Sequence, residues 1–116
     1  MLSFPQGPIF LVTGVTDMRK GINTLAAIVR NEFQKDPLTS VFVFSNRGRN
    51  RLKILFWHRG GFWVCSKRLE RGTFAWPQPK AEHIELSSEE LLLILGGIDL
   101  RETRERRWYP QPALTV

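Results

Sequence analysis

Val41-Phe42-Val43-Phe44-Ser45, then Asn46-Arg47-Gly48-Arg49-Asn50-Arg51, then Leu52-Lys53-Ile54-Leu55-Phe56-Trp57, His58-Arg59-Gly60-Gly61 and Phe62-Trp63-Val64-Cys65-Ser66-Lys67-Arg68-Leu69 form the stretch that decides the fold. Val41 to Phe44 is a run of strand formers. Asn46 to Asn50 is polar, basic and broken by Gly48, as a hairpin loop is. In the next strand Leu52, Ile54 and Phe56 share one face, and Lys53, Leu55 and Trp57 share the other. His58-Arg59-Gly60-Gly61 turns the chain and Phe62 to Leu69 runs back. Arg71-Gly72 is another turn signal, before Thr73-Phe74-Ala75-Trp76. Short strands joined by Gly-containing loops make an antiparallel meander.

Working outward, Pro8-Ile9-Phe10-Leu11-Val12 reads as a buried N-terminal strand closed by Gly14. Thr16-Asp17 offers a helix N-cap, and Gly21 weakens the first turn, which suggests tight packing there or a loop extending to that point. Ile22, Leu25, Ala26, Val29 and Phe33 recur at helical spacing and place one face inward. Asp36-Pro37 ends this helix, because the residue before Pro is pushed out of the α region. On the other side, Pro77 and Pro79 predict a surface connection, with His83 in a Pro-flanked loop. Leu86-Ser87-Ser88-Glu89-Glu90-Leu91 has the form of a capping box opening a short helix from Ser88 to Leu95, with Gly96-Gly97 as its stop. The expected fold is α+β: an N-terminal strand, an amphipathic helix, a mostly antiparallel meander of about four strands, a short C-terminal helix and a basic tail. Residues 1–100 form one domain, and 101–116 are a charged, Pro-containing tail.

A chain of 116 residues that is 42% apolar can fill one core. The lone Cys65 permits no internal disulfide, suits a reducing cytosol and reads as a small buried hydrophobe. No apolar run approaches the ~18 residues of a membrane span, and Met1-Leu2-Ser3-Phe4-Pro5 lacks the form of a signal peptide. A soluble, cytoplasmic protein is expected, associated with the nucleoid when bound to DNA.

The charge is local. Between Arg47 and Arg71 stand Arg47, Arg49, Arg51, Lys53, Arg59, Lys67, Arg68 and Arg71 against the single acid Glu70, so this segment is more positive than the whole chain at +6. Guanidinium groups match phosphate oxygens in paired, directional hydrogen bonds. If extended, Arg47, Arg49 and Arg51 point to one side, and Lys53, Lys67, Arg68 and Arg71 extend the surface. These seven residues are the expected nucleic-acid contacts, and about five phosphates engaged on duplex DNA would give a salt slope near −4.5. Arg19 and Lys20, at the polar entrance to the first helix, are secondary candidates. Trp57 and Trp63 are candidates for base stacking, although Trp57, Trp63, Trp76, Phe62 and Phe74 also suit the buried face of a small sheet. The bland alternative for the basic loop is a solvated hairpin whose charges keep a sheet edge from aggregating.

Enzyme signatures are missing. His58 and His83 lie at no ligand spacing with each other or with Cys65, and there is no P-loop or Gly-x-Ser-x-Gly elbow. Asp17, Asp36, Glu70 and Asp99 fall on different elements without a nuclease signature. The sequence implies no catalytic residue, no metal and no cofactor. Three functions stay open: a DNA-binding accessory factor, a protein–protein adaptor, and a cryptic metal-dependent nuclease.

Thr16-Asp17-Met18-Arg19-Lys20-Gly21, then Phe42-Val43-Phe44-Ser45-Asn46-Arg47-Gly48-Arg49-Asn50-Arg51-Leu52-Lys53-Ile54-Leu55-Phe56-Trp57, then Gly61-Phe62 and Lys67-Arg68-Leu69-Glu70-Arg71-Gly72-Thr73-Phe74-Ala75-Trp76-Pro77 occur in an order that resembles one family. It is the small accessory protein of certain bacterial insertion sequences, called TnpB or the second-open-reading-frame protein and distinct from the RNA-guided nuclease of that name. The resemblance runs from about Pro8 to Leu100, and the tail from Arg101 lies outside it. Cys65 and Ser66 stand where the pattern leads one to expect bulkier apolar residues or Tyr. The resemblance implies a role in transposition beside a separate DDE-type transposase, with that transposase and element DNA as partners, and it supplies no catalytic activity. An exposed strand edge could in addition support a homo-oligomer.

Overall fold

The computed structural model describes residues 7–77, 81–96, 98–99 and 104–105. Its centre is β2 (Val41–Ser45), every residue of which is buried. β1 (Ile9–Val15) lies parallel to it, pairing Ile9 with Val41, Phe10 with Phe42 and Leu11 with Val43 before an irregularity ahead of the Val15–Ser45 pair. Parallel neighbours require a crossover, and α1 (Ile22–Asn31) supplies it. β3 (Arg51–His58) pairs antiparallel with β2, and β4 (Gly61–Arg68) antiparallel with β3. β5 (His83–Leu86) closes the far side, antiparallel to β1. The order is therefore β4-β3-β2-β1-β5, a five-stranded mixed sheet. α2 (Ser88–Gly96) follows β5, and β6 (Ile98–Asp99) pairs with β7 (Arg104–Glu105) in a separate two-stranded ladder.

Both faces of this sheet are covered, which explains why β1 and β2 read as unbroken apolar runs rather than alternating ones. On one face Phe10, Val12, Phe42, Phe44 and Leu55 pack against Leu25, Ala26 and Val29 of α1. Phe33 stacks on Phe42 at 5.9 Å, and Phe10 lies 5.2 Å from Phe42. On the other face Ile9, Leu11, Val41, Val43, Leu52, Ile54 and Phe56 meet Leu91 and Ile94 of α2 together with Leu69 and Phe74. The alternation read along β3 thus sorts its side chains correctly between the two layers. No helix among the described residues is long and apolar enough to cross a membrane.

Several local expectations change. The first helix takes Gly21, not Thr16 or Asp17, as its N-cap, and no side chain caps it. Asp17 instead binds Arg19, so the loop does extend to Gly21. The helix stops at Asn31, ahead of Asp36-Pro37; Gln34 adopts φ 56° and Lys35 N–H donates to the Val29 carbonyl at 3.1 Å. Thr73 to Trp76 is a strap without regular secondary structure, although Phe74 is buried. Its backbone bonds the β2–β3 loop: Phe74 N–H donates to the Arg49 carbonyl at 2.7 Å. His83 sits in a strand rather than a loop, opposite Val12. The capping box is present as expected, with Ser87 N–H donating to Glu90 Oε1 at 2.9 Å and Glu90 N–H to Ser87 Oγ at 3.1 Å. Most of the 101–116 tail lies outside the described residues.

Candidate nucleic-acid interface

The β2–β3 loop is built around Asn46. Its Oδ1 accepts from the Asn50 and Arg51 N–H groups at 3.1 Å each, and its Nδ2 donates to Asn50 Oδ1 at 2.8 Å. This folds the loop tightly and holds Arg49 at φ 55°. Because the loop is a turn, the three arginines do not share a side. Arg47 and Arg51 point to solvent. Arg49 turns inward, where its Nη2 donates to the Thr13 carbonyl at 2.9 Å and its Nη1 reaches the Gly14 carbonyl at 3.4 Å. The guanidinium also lies over the Trp76 ring, 5.3 Å from its centroid, while Trp76 Nε1–H donates to the Val12 carbonyl at 3.0 Å. Burial pulls the Arg49 pKa below its usual value, yet an Arg remains charged. Arg49 therefore ties the β2–β3 loop, the end of β1 and the 69–76 strap together.

The other basic residues divide by strand parity. On β3 and β4, Arg51, Lys53, Ser66 and Arg68 fall on the α1 side of the sheet, like Leu55, Phe62 and Val64. With Met18 they line a cleft of about 230 Å³. Arg51 stands directly opposite Arg68, and like charges so placed repel unless an anion intervenes. Arg68 is balanced by Glu70 at 3.0 Å, a pair exposed on both sides. Lys53 is half-buried and donates from Nζ to the Lys20 carbonyl at 2.9 Å, which holds the β1–α1 loop against the cleft. Lys67 has the opposite parity. Its Nζ donates to the Leu95 carbonyl at 2.8 Å, near the C-terminal end of α2, where a cation suits the helix dipole. Arg71 is exposed beyond β4. Of the seven expected contacts, the fold gathers Arg51, Lys53, Lys67 and Arg68 around one cleft, Lys67 with its amine turned away to the Leu95 carbonyl; Arg47 and Arg71 stand on adjoining turns, and Arg49 is placed elsewhere.

Among the secondary candidates, Arg19 grips Asp17 with Nη2 at 2.7 Å and Nε at 3.0 and 3.1 Å. These bonds, and then the Arg19 backbone N–H, hold the Asp17 carboxyl well below the usual range. Lys20 lines a larger hollow of about 590 Å³ at the end of β1, shared with Asp17, Glu32 and Glu82. Trp57 packs edge-on against Phe62 at 5.0 Å, at the turn end of the hairpin, about 20 Å along the strand from Arg51. Trp63 is 56% exposed but has the parity of Cys65, on the α2 side. Neither Trp adjoins the basic cleft. Cys65 is half-buried against the α2-side core, and burial raises its thiol pKa.

Among the described residues no three His, Cys, Asp or Glu side chains come together as a metal-binding group. Asp17, Asp36 and Glu70 serve local roles, Asp36 by accepting from the Leu38 N–H at 2.8 Å. His83 Nδ1 is buried among Phe10, Phe33 and Phe42 without a partner among the described residues. Sequence reasoning missed Met18 and Ser66 as lining of the cleft, because only pairing register and loop placement bring them there.

The family model of IS66 Orf2-like proteins matches residues 7–105. Two similar proteins come from Sinorhizobium fredii (strain NBRC 101917 / NGR234). The uncharacterized protein y4hO is 37% identical over 103 residues, covering 88% of this chain and 89% of the relative. The uncharacterized protein y4jC is 31% identical over 99 residues, covering 84% and 85%. No solved structure matches this chain.

Proposed function

Because the chain belongs to the family of IS66 Orf2-like proteins, we propose that it acts in insertion-sequence transposition as a non-catalytic accessory factor that binds element DNA through the basic end of the β3–β4 ladder. The observation that carries this reading is the cross-strand pair of exposed arginines, Arg51 opposite Arg68, above the half-buried Lys53. A phosphate between two guanidiniums relieves their repulsion and accepts directional bonds from both. Arg47 and Arg71 extend the same end of the sheet. Glu70 is exposed, and an exposed ion pair exchanges for phosphate at little cost. Contacts of this kind position DNA without reading bases, and the distance of Trp57 and Trp63 from the cleft favours a backbone-binding role over a stacking one.

Charge reversal tests it. Arg51→Glu with Arg68→Glu should abolish retention of the protein on duplex element ends at low salt while leaving its fold intact by circular dichroism. The adaptor alternative gives a different result. There, the doubly reversed protein would still be retained by DNA, and the pair would be needed instead for nuclease-resistant co-elution with the transposase of the element. Incubation of labelled ends with Mg²⁺ or Mn²⁺ addresses the nuclease alternative, and no cleavage is expected.

A further inference from the structure

The two edges of the sheet differ. β5 offers four residues, whereas β4 offers eight, and among the described residues nothing pairs with its outer side. The Arg59-Gly60 turn has both φ values positive, 47° and 88°, as a two-residue hairpin of the primed type requires. Such a turn makes His58–Gly61 a hydrogen-bonded pair, and the Leu69 N–H bond to the Asn50 carbonyl at 2.8 Å keeps that phase at the far end. Phe62, Val64, Ser66 and Arg68 therefore direct their N–H and C=O groups outward. The edge is also polarised. Its first half carries Phe62 and the exposed Trp63, and its second half carries Lys67 and Arg68.

We propose that a second copy of this chain docks antiparallel on the free edge of β4, about a two-fold axis at Cys65. In this register the outward-facing groups of Phe62, Val64, Ser66 and Arg68 bond those of the second copy. It also sets Phe62 against Arg68 of the second copy and Trp63 against Lys67, twice each by symmetry. No other two-fold register sets both cations on both aromatics; one centred at Lys67 opposes like charges. Cations over aromatic faces are favourable contacts; Arg68 can turn to Phe62 because its pair with Glu70 is exposed, and Lys67 can turn to Trp63 because its bond to the Leu95 carbonyl is exposed too. The edge charges that discourage random pairing would then select one register. The two α1 faces lie on the same side of a continuous ten-stranded sheet, with the two basic clefts about 20 Å apart, six residues of strand.

Cys65 is the only cysteine and falls at the non-hydrogen-bonded centre, where Cα atoms approach to about 4.5 Å, within disulfide reach. The test uses the full chain without DNA, so it stands apart from the DNA-binding reading. Sedimentation at tens of micromolar should give twice the 13.5 kDa chain mass. Copper phenanthroline in air, which takes one hydrogen from each thiol, should trap a Cys65–Cys65 dimer. Cys65→Ser should stay dimeric without trapping. Trp63→Lys should weaken the dimer about tenfold or more by facing Lys67 with a like charge, whereas Trp63→Glu should retain it. A wild-type monomer at these concentrations overturns the proposal, as does equal behaviour of the two Trp63 variants.

Discussion

Replacing Arg49 with Ala should cost stability and spare the salt dependence of DNA binding, whereas Arg51→Ala should do the reverse. The Arg49 guanidinium supplies a 2.9 Å bond to the buried Thr13 carbonyl, a longer 3.4 Å bond to Gly14, and a face-on contact with Trp76. A hydrogen bond from a charged donor contributes about 1.5–3 kcal/mol, and a half-buried cation–π contact about 1 kcal/mol. Water can reach the exposed Gly14 end and replace part of the loss. A net cost of about 2–3 kcal/mol is expected. With a urea m-value of about 1–3 kcal/mol/M for a small domain, the unfolding midpoint falls by about 0.7–3 M. Arg51 is exposed and makes no comparable side-chain contact among the described residues, so its removal should leave the stability within about 0.5 kcal/mol of wild type and lower the magnitude of the salt slope by about 0.9. Urea unfolding followed by Trp fluorescence, paired with anisotropy titrations on labelled duplex below the transition, reads both quantities. An unchanged midpoint for Arg49→Ala, together with a slope change equal to that of Arg51→Ala, would refute the division of roles between these two arginines.

Phe42 is fully buried and touches Phe10, Phe33, Phe44 and His83, so Phe42→Ala should destabilise by about 3–5 kcal/mol in the same unfolding assay. Ser87→Ala removes one half of the capping box and should cost about 1 kcal/mol, whereas a change at the exposed Ser88 should cost little. Asp17 has a depressed pKa, so its ion pair with Arg19 should survive acidification through the ordinary carboxylate range and be lost only as pH falls through the lower, folded-state value. An NMR titration of the Asp17 carboxyl should therefore show its midpoint displaced downward, and Arg19→Ala should return it towards the ordinary value.

The strand pattern was legible because burial writes itself into alternation: Leu52, Ile54 and Phe56 fell on one layer and Leu55 on the other, as their spacing required. The capping box was equally local and equally readable; the turn within His58 to Gly61 was also legible, although its centre is Arg59-Gly60 and Gly61 already belongs to β4. What sequence did not yield was pairing order. Nothing in Pro8 to Val12 says that this strand runs parallel to Val41–Ser45, since that follows from the α1 crossover. Nor did the short His83–Leu86 segment announce itself as the partner of β1, because a four-residue strand beside prolines carries too little periodicity. The candidate interface was half legible. Charge density identified the segment, but the inward turn of Arg49 depends on the Asn46 hub and a positive φ, and the separation of Lys67 from Arg68 depends on which layer each faces. Both are tertiary facts about residues whose types alone look equivalent.

The most direct measurement of the central claim is the affinity for duplex element DNA across a range of salt concentrations. Four exposed guanidiniums, Arg47, Arg51, Arg68 and Arg71, at one phosphate each, predict a slope of log affinity against log salt near −3.6. Absence of duplex binding even at low salt would contradict the claim, as would an affinity that does not change with salt.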